Sequence, residues 1–333
     1  MNTRNLVDPE LIALLDTSPP LELAVETLAT IRHGEILAAV DPQAVAKVDM
    51  VTRTMAGPRG APAVGVRIYT PRDRHGLLPC IFHIHGGGYV VGSSAQLESV
   101  HRPMALALNA VIVSVDYRLA PETRFPGAIE DCYAALAGVF AASTELGVDA
   151  GRIGVMGESA GGGLAASLAL LARDRGQHRL AFQHLIYPMI DDRTCVTQTP
   201  HPHTGEFVWT AKNNAFGWSA LLGVPPGSAG VSPYAAAARE ENLAGLPPTF
   251  ISTAALDLFL EENIDYARRL MRHGVPVELH VYPGAFHGFD SDPKASVARA
   301  ARRDSLSALC RALQSGGGYL GAGDQFAVRE VVE

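Results

Sequence analysis

Apolar residues recur along this chain in two rhythms. Short aliphatic and β-branched runs alternate with longer stretches of helical spacing. Val48–Met55 and Val64–Thr70 read as two strands joined by the Gly/Pro turn at Gly57–Pro62, an antiparallel pair. Cys80–Ile84, Val111–Val115, Ile153–Met156, Phe182–Tyr187, Thr249–Thr253 and Val277–Val281 complete the strand set. Val111–Val115 is almost purely β-branched, the pattern of a strand covered on both faces. Helical spacing runs over Ile129–Leu146, stopping at Gly147, and over Leu164–Arg175, ending before Gly176. Further helices are expected near Glu261–Arg272 and Ala295–Leu313. About eight strands, mostly alternating with helices, predict an α/β fold with a mainly parallel sheet and right-handed crossovers.

Three segments depart from that rhythm. Residues 1–45 read as short helices broken at Pro19-Pro20 and Gly34. Residues 190–245 carry prolines, glycines, Trp209 and Trp218 without an obvious strand, and an irregular stretch of that length reads as a lid or insertion. Gly316-Gly317-Gly318 lies at the head of a tail over 314–333. The expected organisation is N-terminal helices over 1–45, a catalytic domain over 46–313 that includes the 190–245 insertion, and the tail.

Composition narrows the function. With 47% hydrophobic and 18% charged residues, the chain can fill a large core and is not disordered. Its net charge of −7, with no Lys/Arg block, gives nucleic acid no basic face to bind. The four cysteines lie far apart, without zinc spacing, so neither a disulfide framework nor a metal site is expected. No apolar leader opens the chain, and the longest apolar run, near Leu164–Ala172, is about half of the ~18 residues a membrane span needs. A cytoplasmic protein with no membrane partner is the expectation.

The chemistry-bearing motifs then stand out. Gly157-Glu158-Ser159-Ala160-Gly161 is a G-x-S-x-G pentapeptide, which this glycine content would produce by chance about 0.2 times per chain. Its context is more telling: strand Ile153–Met156 precedes it and a helix follows. A sharp strand-to-helix turn lifts a serine above the sheet edge, beside a helix N-terminus that favours developing negative charge. His85-Gly86-Gly87-Gly88 follows strand Cys80–Ile84 and is expected by chance about 0.01 times. Its glycines let backbone N–H groups approach a ligand closely, as an oxyanion hole requires, and no phosphate-loop pattern is present.

A serine nucleophile needs a base, and in serine hydrolases built on this turn the chain order is nucleophile, acid, histidine. His287, in the loop Gly284–Phe289 after the last strand, fits that order. His85 sits at the foot of the glycine loop, His280 inside a strand, and His273 at a helix end. His201 and His203 fall in the insertion, where they line a pocket or are solvated. Asp257 follows strand Thr249–Thr253 and is the first choice for the acid that orients the imidazole, with Asp191 and Asp192 as the fallback. Asp257 also suits a helix N-cap.

Together these residues resemble the hormone-sensitive-lipase-like family of α/β-hydrolases, in its bacterial carboxylesterase branch. The resemblance covers roughly residues 45–313. It rests on His85–Gly88, on Tyr117-Arg118-Leu119-Ala120-Pro121-Glu122 with Phe125-Pro126 and Asp131-Cys132 downstream, on the serine motif continued to Gly163, and on Phe286–Phe289. It implies an eight-stranded sheet with a mainly helical cap, made by the N-terminal helices and the insertion. It also implies an oxyanion hole from the N–H groups of Gly87, Gly88 and Ala160. Two departures are visible. Glu158 stands where the family usually has Asp or Thr, and Asp257-Leu258-Phe259-Leu260-Glu261-Glu262 lacks the Pro and Arg common after the triad acid.

The resulting expectation is a cofactor-independent carboxylesterase that uses Ser159, His287 and Asp257 to hydrolyse short-acyl esters of small alcohols or phenols. Trp209, Phe207, Phe216 and Trp218 are expected to line the substrate pocket, with anchoring of the insertion as their alternative fate. Amidase or lactonase chemistry on the same triad, or a non-catalytic small-molecule-binding role, are the competing readings. The expected partner is a small-molecule ester; whether the chain forms a homodimer stays open.

Overall fold

Eight strands form one sheet in the order β1-β2-β4-β3-β5-β6-β7-β8 in the computed structural model, which describes residues 2–18, 21–34, 37–196 and 199–314. The Pro19-Pro20 break and the tail from Ser315 onward lie outside the described residues. β1 (Val48–Met55) and β2 (Val64–Pro71) form the expected antiparallel hairpin, and β2 also runs antiparallel to β4 (Val111–Asp116). The other neighbours, β3 (Leu78–Ile84), β5 (Val148–Glu158), β6 (Gln183–Ile186), β7 (Thr249–Ala254) and β8 (Val277–Tyr282), are paired in parallel from β4 onward.

Alternation along the central strands places apolar groups on both faces. Phe82, Ile84, Val113 and Val115 join the cluster beneath α5 (Gly127–Ala141) and α7 (Ala160–Arg175). Their neighbours Ile81 and Ile112 pack beneath α4 (Glu98–Leu108) and α10 (Ser296–Gln314). That double covering explains why these strands read as continuous apolar runs. α7 is buried from Ala160 through Ala172, so its composition is apolar all round, and it ends at Gly176 with a φ of 66°.

The N-terminal segment and the 190–245 stretch are stitched to each other. From α8 (Ala211–Leu222), the Asn213 carboxamide accepts the Leu23 N–H at 3.1 Å and donates to the Leu21 carbonyl at 2.8 Å. Thr3 donates to Glu206 through its N–H and its hydroxyl, at 2.7 and 2.6 Å. Val7 and Leu11 pack with Phe286 and Phe289 at the end of the sheet that carries the loop after β8.

The structure adjusts several boundaries. The helix expected over 129–146 is two: α5 stops at Ala141, Ala142 leaves helical geometry (φ −94°, ψ 10°), and α6 (Ser143–Leu146) leads into Gly147. β5 extends well beyond Ile153–Met156 in both directions. Sequence reading missed α4 because Pro103 interrupts its pattern and because it buries His101 and Arg102. It missed α8 because Asn213, Asn214 and Gly217 weaken its propensity; the Thr210 hydroxyl caps its start and Gly223 ends it. Among the described residues, no helix is long and apolar enough to cross a membrane.

Buried histidines with lowered pKa make the fold sensitive to acid, His184 and His101 among them. His184 on β6 stacks on Phe250 at 4.1 Å, and burial, helped by nearby His280, pushes its pKa down to about 3. Burial and His83 likewise hold His101 well below the usual histidine value. The unfolded chain takes up these protons near pH ~6.5, whereas the folded chain refuses them. Stability should therefore be full above that pH and fall steadily as the pH drops toward 3. Urea unfolding at pH 7 and pH 4.5 measures the loss, and His184→Gln should shrink it; an unchanged difference in that variant would clear His184 of the effect.

Candidate active site

Ser159 occupies the junction between β5 and α7 in a conformation that non-glycine residues rarely adopt, φ 55° and ψ −122°. Its backbone is held on both sides. The Ser159 N–H donates to the Ile186 carbonyl at 2.9 Å, and its own carbonyl accepts the N–H groups of Gly163 and Met189 at 3.0 and 2.9 Å. Small neighbours are required by space: a Cβ on Gly161 would stand 2.0 Å from the Ile84 carbonyl oxygen. The serine side chain is thereby raised at the carboxyl end of the sheet.

Two loops at the same sheet end bring the other groups to it. Asp257 lies just beyond β7 and His287 just beyond β8. The Ser159 hydroxyl donates to His287 Nε2 at 2.9 Å, and His287 Nδ1 donates to Asp257 Oδ2 at 2.7 Å. Asp257 is 1% exposed, and its other oxygen accepts the Phe259 N–H at 3.0 Å. The imidazole is boxed by Tyr187, Phe259 and Trp209, with ring centroids at 4.7, 5.2 and 6.0 Å. Sequence reasoning missed Tyr187 and Phe259 as wedges; nothing in an apolar run marks one aromatic as the neighbour of a particular histidine.

The fallback acids are committed elsewhere. Asp192 pairs with Arg239 at 2.6 and 2.8 Å and accepts the Gly227 N–H, while Asp191 pairs with Arg193. His85 stacks on Tyr117 at 4.3 Å, its Nδ1 lies 2.8 Å from the Gly86 carbonyl, and burial lowers its pKa. His201 and His203 keep to the insertion, where the His203 N–H bonds His201 Nδ1 at 3.2 Å. Among the described residues, no group of three or more His, Cys, Asp or Glu side chains is placed to hold a metal ion.

The glycine loop approaches Ser159 from β3. Gly87 and Gly88 have φ of 109° and 59°, and a Cβ on Gly88 would stand 2.3 Å from the Trp209 ring. Among the described residues, no acceptor takes the N–H groups of Gly87, Gly88 or Ala160. Beside the loop opens a cavity of about 280 Å³, lined by Ile31, Val91, Leu97 and Gln96 together with Gly86, Gly87 and Glu158.

The four aromatics of the insertion separate. Trp209 reaches the site, spanning from Gly88 to His287, with its indole N–H donating to Asn214 at 3.1 Å. Trp218 is fully buried against Tyr89, with ring centroids 5.2 Å apart, which suits the anchoring alternative. Phe216 packs partly exposed on the main core, and Phe207 lies 6.1 Å from Phe286.

Comparison with known proteins bears on the fold and the family. A family model described as the alpha/beta hydrolase fold matches residues 81–291. Carboxylesterase NlhH of Mycobacterium tuberculosis is 35% identical over 311 residues, covering 93% of this chain and 97% of that protein. Among solved structures, a bacterial heroin esterase superposes with a TM-score of 0.88 at 39% identity, covering 94% of this chain and 100% of that one. Esterase LipW from Mycobacterium marinum does so with a TM-score of 0.81 at 32% identity, covering 94% and 98%. A strained serine between β5 and α7, a histidine and a buried aspartate on the loops beside it, and relatives matched along almost their whole length agree: this chain belongs to the hormone-sensitive-lipase-like family of α/β-hydrolases.

Proposed function

We propose that this carboxylesterase hydrolyses short-acyl esters of small alcohols or phenols through an acyl-enzyme formed on Ser159. The observation that carries the reading is the unbroken relay from the Ser159 hydroxyl through His287 to Asp257, at 2.9 and 2.7 Å. Ser159 Oγ attacks the ester carbonyl carbon as His287 Nε2 takes its proton. The carbonyl oxygen, now an oxyanion, is received by the N–H groups of Gly87, Gly88 and Ala160, the last at the positive end of α7. The imidazolium returns its proton to the departing alkoxide, and the alcohol leaves. Water then attacks the acyl-enzyme with His287 as base, and the acid is released. Asp257 stays ionised throughout, orienting the ring and balancing its transient charge.

Substrate size follows from the cavity beside the loop. A cavity of about 280 Å³, lined by Ile31, Val91 and Leu97 but also by Gln96 and Glu158, suits a short group better than a long acyl chain. Ile31 belongs to α2 (Val25–His33), so the N-terminal helices contribute a wall. Residues 1–45 and 190–245, joined through Asn213 and Glu206, act as a cap over a catalytic domain spanning 46–313, with Trp209 beside Gly88 and His287.

Three outcomes are expected. Ser159→Ala should fold normally yet lose hydrolysis of p-nitrophenyl acetate and labelling by a fluorophosphonate probe; a folded variant that keeps its rate would end the serine-esterase reading. Asp257→Asn should lower kcat by as much as ~10⁴, the scale seen when this acid becomes an amide in other Ser-His-Asp enzymes, while Asp191→Asn stays near wild type. The opposite order would move the acid to the segment after β6. Deleting residues 1–35 should change the preference among acetyl to octanoyl esters or raise KM. Unchanged kinetics in a soluble truncated protein would remove the N-terminal helices from the cap.

A further inference from the structure

Glu158, the residue directly before the nucleophile, has a side chain with no part in the relay just described. One carboxylate oxygen accepts the Gly86 N–H at 3.0 Å, and the other lies 2.8 Å from His83 Nε2 on β3. His83 is itself fixed: its Nδ1 faces the Ser114 hydroxyl on β4 at 3.3 Å, and the His101 ring of α4 meets it edge-on at 4.3 Å. The main chain is equally close, since a Cβ on Gly86 would stand 3.0 Å from the Glu158 carbonyl oxygen and 3.4 Å from Ser159 Cβ. The turn that carries the nucleophile and the loop that carries Gly87 and Gly88 are therefore joined at one point, through Glu158.

The Glu158 side chain is only 21% exposed, and a carboxylate so largely covered is costly to keep charged unless it is paired. Burial works to raise its pKa, but the charge and hydrogen bond of His83 and the Gly86 N–H outweigh burial and hold it below the usual carboxyl range. Glu158 is thus an ionised acceptor at neutral pH, and a hydrogen bond from a backbone N–H to an ionised group is stronger than one between neutral groups.

We propose that Glu158 is a positioning residue for transition-state binding: its carboxylate, gripped by His83, fixes Gly86 and so sets the distance between the Gly87 and Gly88 N–H groups and Ser159 Oγ. The proposal rests on the reading of Ser159 as nucleophile and of the loop as the oxyanion site. A ground-state ester needs little from that loop, whereas the oxyanion needs donors at hydrogen-bond distance from a point that exists only after attack. Loosening the loop should therefore cost kcat and spare KM. A purely structural carboxylate would instead lower the fraction of active protein, or raise KM along with the loss of kcat.

The test compares Glu158→Ala and Glu158→Gln with wild type on p-nitrophenyl acetate, with kcat expressed per fluorophosphonate-titrated site. Each protein is also given a short alkyl trifluoromethyl ketone, whose serine adduct places an oxyanion in the hole, and the matching methyl ketone as a ground-state control. In Glu158→Ala, kcat should fall about 10²-fold with KM within about twofold, and the trifluoromethyl ketone should weaken in parallel while the methyl ketone does not. Glu158→Gln, which keeps an acceptor for Gly86, should recover most of that loss. If the alanine variant does not fold, His83→Asn decides: a smaller loss in kcat at constant KM supports the proposal, and an unchanged kcat overturns it. A folded Glu158→Ala with wild-type kcat per site, or with both ketones weakened equally, also overturns it. Wild type that neither turns over the ester nor takes the probe would overturn the esterase reading itself, a result distinguishable from a hydrolytic wild type whose rate ignores Glu158.

Discussion

The left-handed backbone at Ser159 is the constraint around which the site is arranged. A non-glycine residue held at a φ of 55° carries local strain of about 1–3 kcal/mol, and it persists only where its surroundings leave no alternative. Here β6 takes its N–H, and Gly163 and Met189 take its carbonyl. The buried face of α7 presses the turn down onto the loop after β3, where only glycine fits at position 161. Relaxing the serine would mean breaking three main-chain hydrogen bonds and lifting a thirteen-residue buried stretch of helix. The strain is thus stored by the same packing that stabilises the sheet.

The Tyr117–Glu122 hexapeptide shows how the loop opposite Ser159 is held. The Tyr117 ring stacks on His85, and its hydroxyl donates to the His85 carbonyl at 3.0 Å, anchoring the foot of the glycine loop. Arg118 makes a two-pronged bond to the buried carboxylate of Asp131 at 2.7 Å, tying the segment to α5. The Ala120 N–H bonds the Tyr89 carbonyl just past the glycines. Glu122 meets Arg32 of α2, whose guanidinium also donates to the Val90 and Ala120 carbonyls at 2.8 Å. The ion pair is exposed at Glu122 and contributes little by itself. The carbonyl contacts are what connect the N-terminal helix to the loop beside Ser159.

How much of this was readable beforehand depends on the range of the interaction involved. The strands, their alternation with helices and the serine turn are written in local pattern, and the structure reproduces them with shifted boundaries. Motif and chain order limit the candidates for a serine, an acid and a histidine to a few positions, and the structure brings Ser159, Asp257 and His287 within hydrogen-bond distance of one another. Glu158 was visible only as a departure: its partners, His83 and Gly86, are more than seventy residues away, and no spacing in the chain announces that β3 and β5 are neighbours. Trp209 and Trp218 look alike in sequence, nine residues apart on one insertion. One covers Gly88 and the other is sealed against Tyr89, a difference decided by the tertiary position of α8.

The segment after Asp257, which lacks the Pro and Arg that the family resemblance led one to expect there, still spaces Asp257 from Ser159. Asp257 accepts the Phe259 N–H and its carbonyl accepts the Leu260 N–H, a turn that leads into α9 (Leu260–Arg272) without a proline; the N-cap of that helix is Phe259, not Asp257 as its position in the sequence suggested. The first turn of that helix then reaches across to the chain leaving β6. Glu262 accepts the Ile190 N–H at 2.8 Å and the Asp191 N–H at 3.3 Å, and Asn263 donates to the Pro188 carbonyl at 2.7 Å. Burial pushes the Glu262 carboxyl well above its ordinary range, so this grip relies on hydrogen bonding more than on charge. Between Pro188 and Ile190 lies Met189, whose N–H holds the Ser159 carbonyl. Asp257 and Ser159 are therefore spaced by one continuous set of short contacts running through α9 and the end of β6. His287, on the separate loop after β8, has only to stand between two points whose separation is already fixed, with Tyr187, Phe259 and Trp209 limiting where its ring can turn.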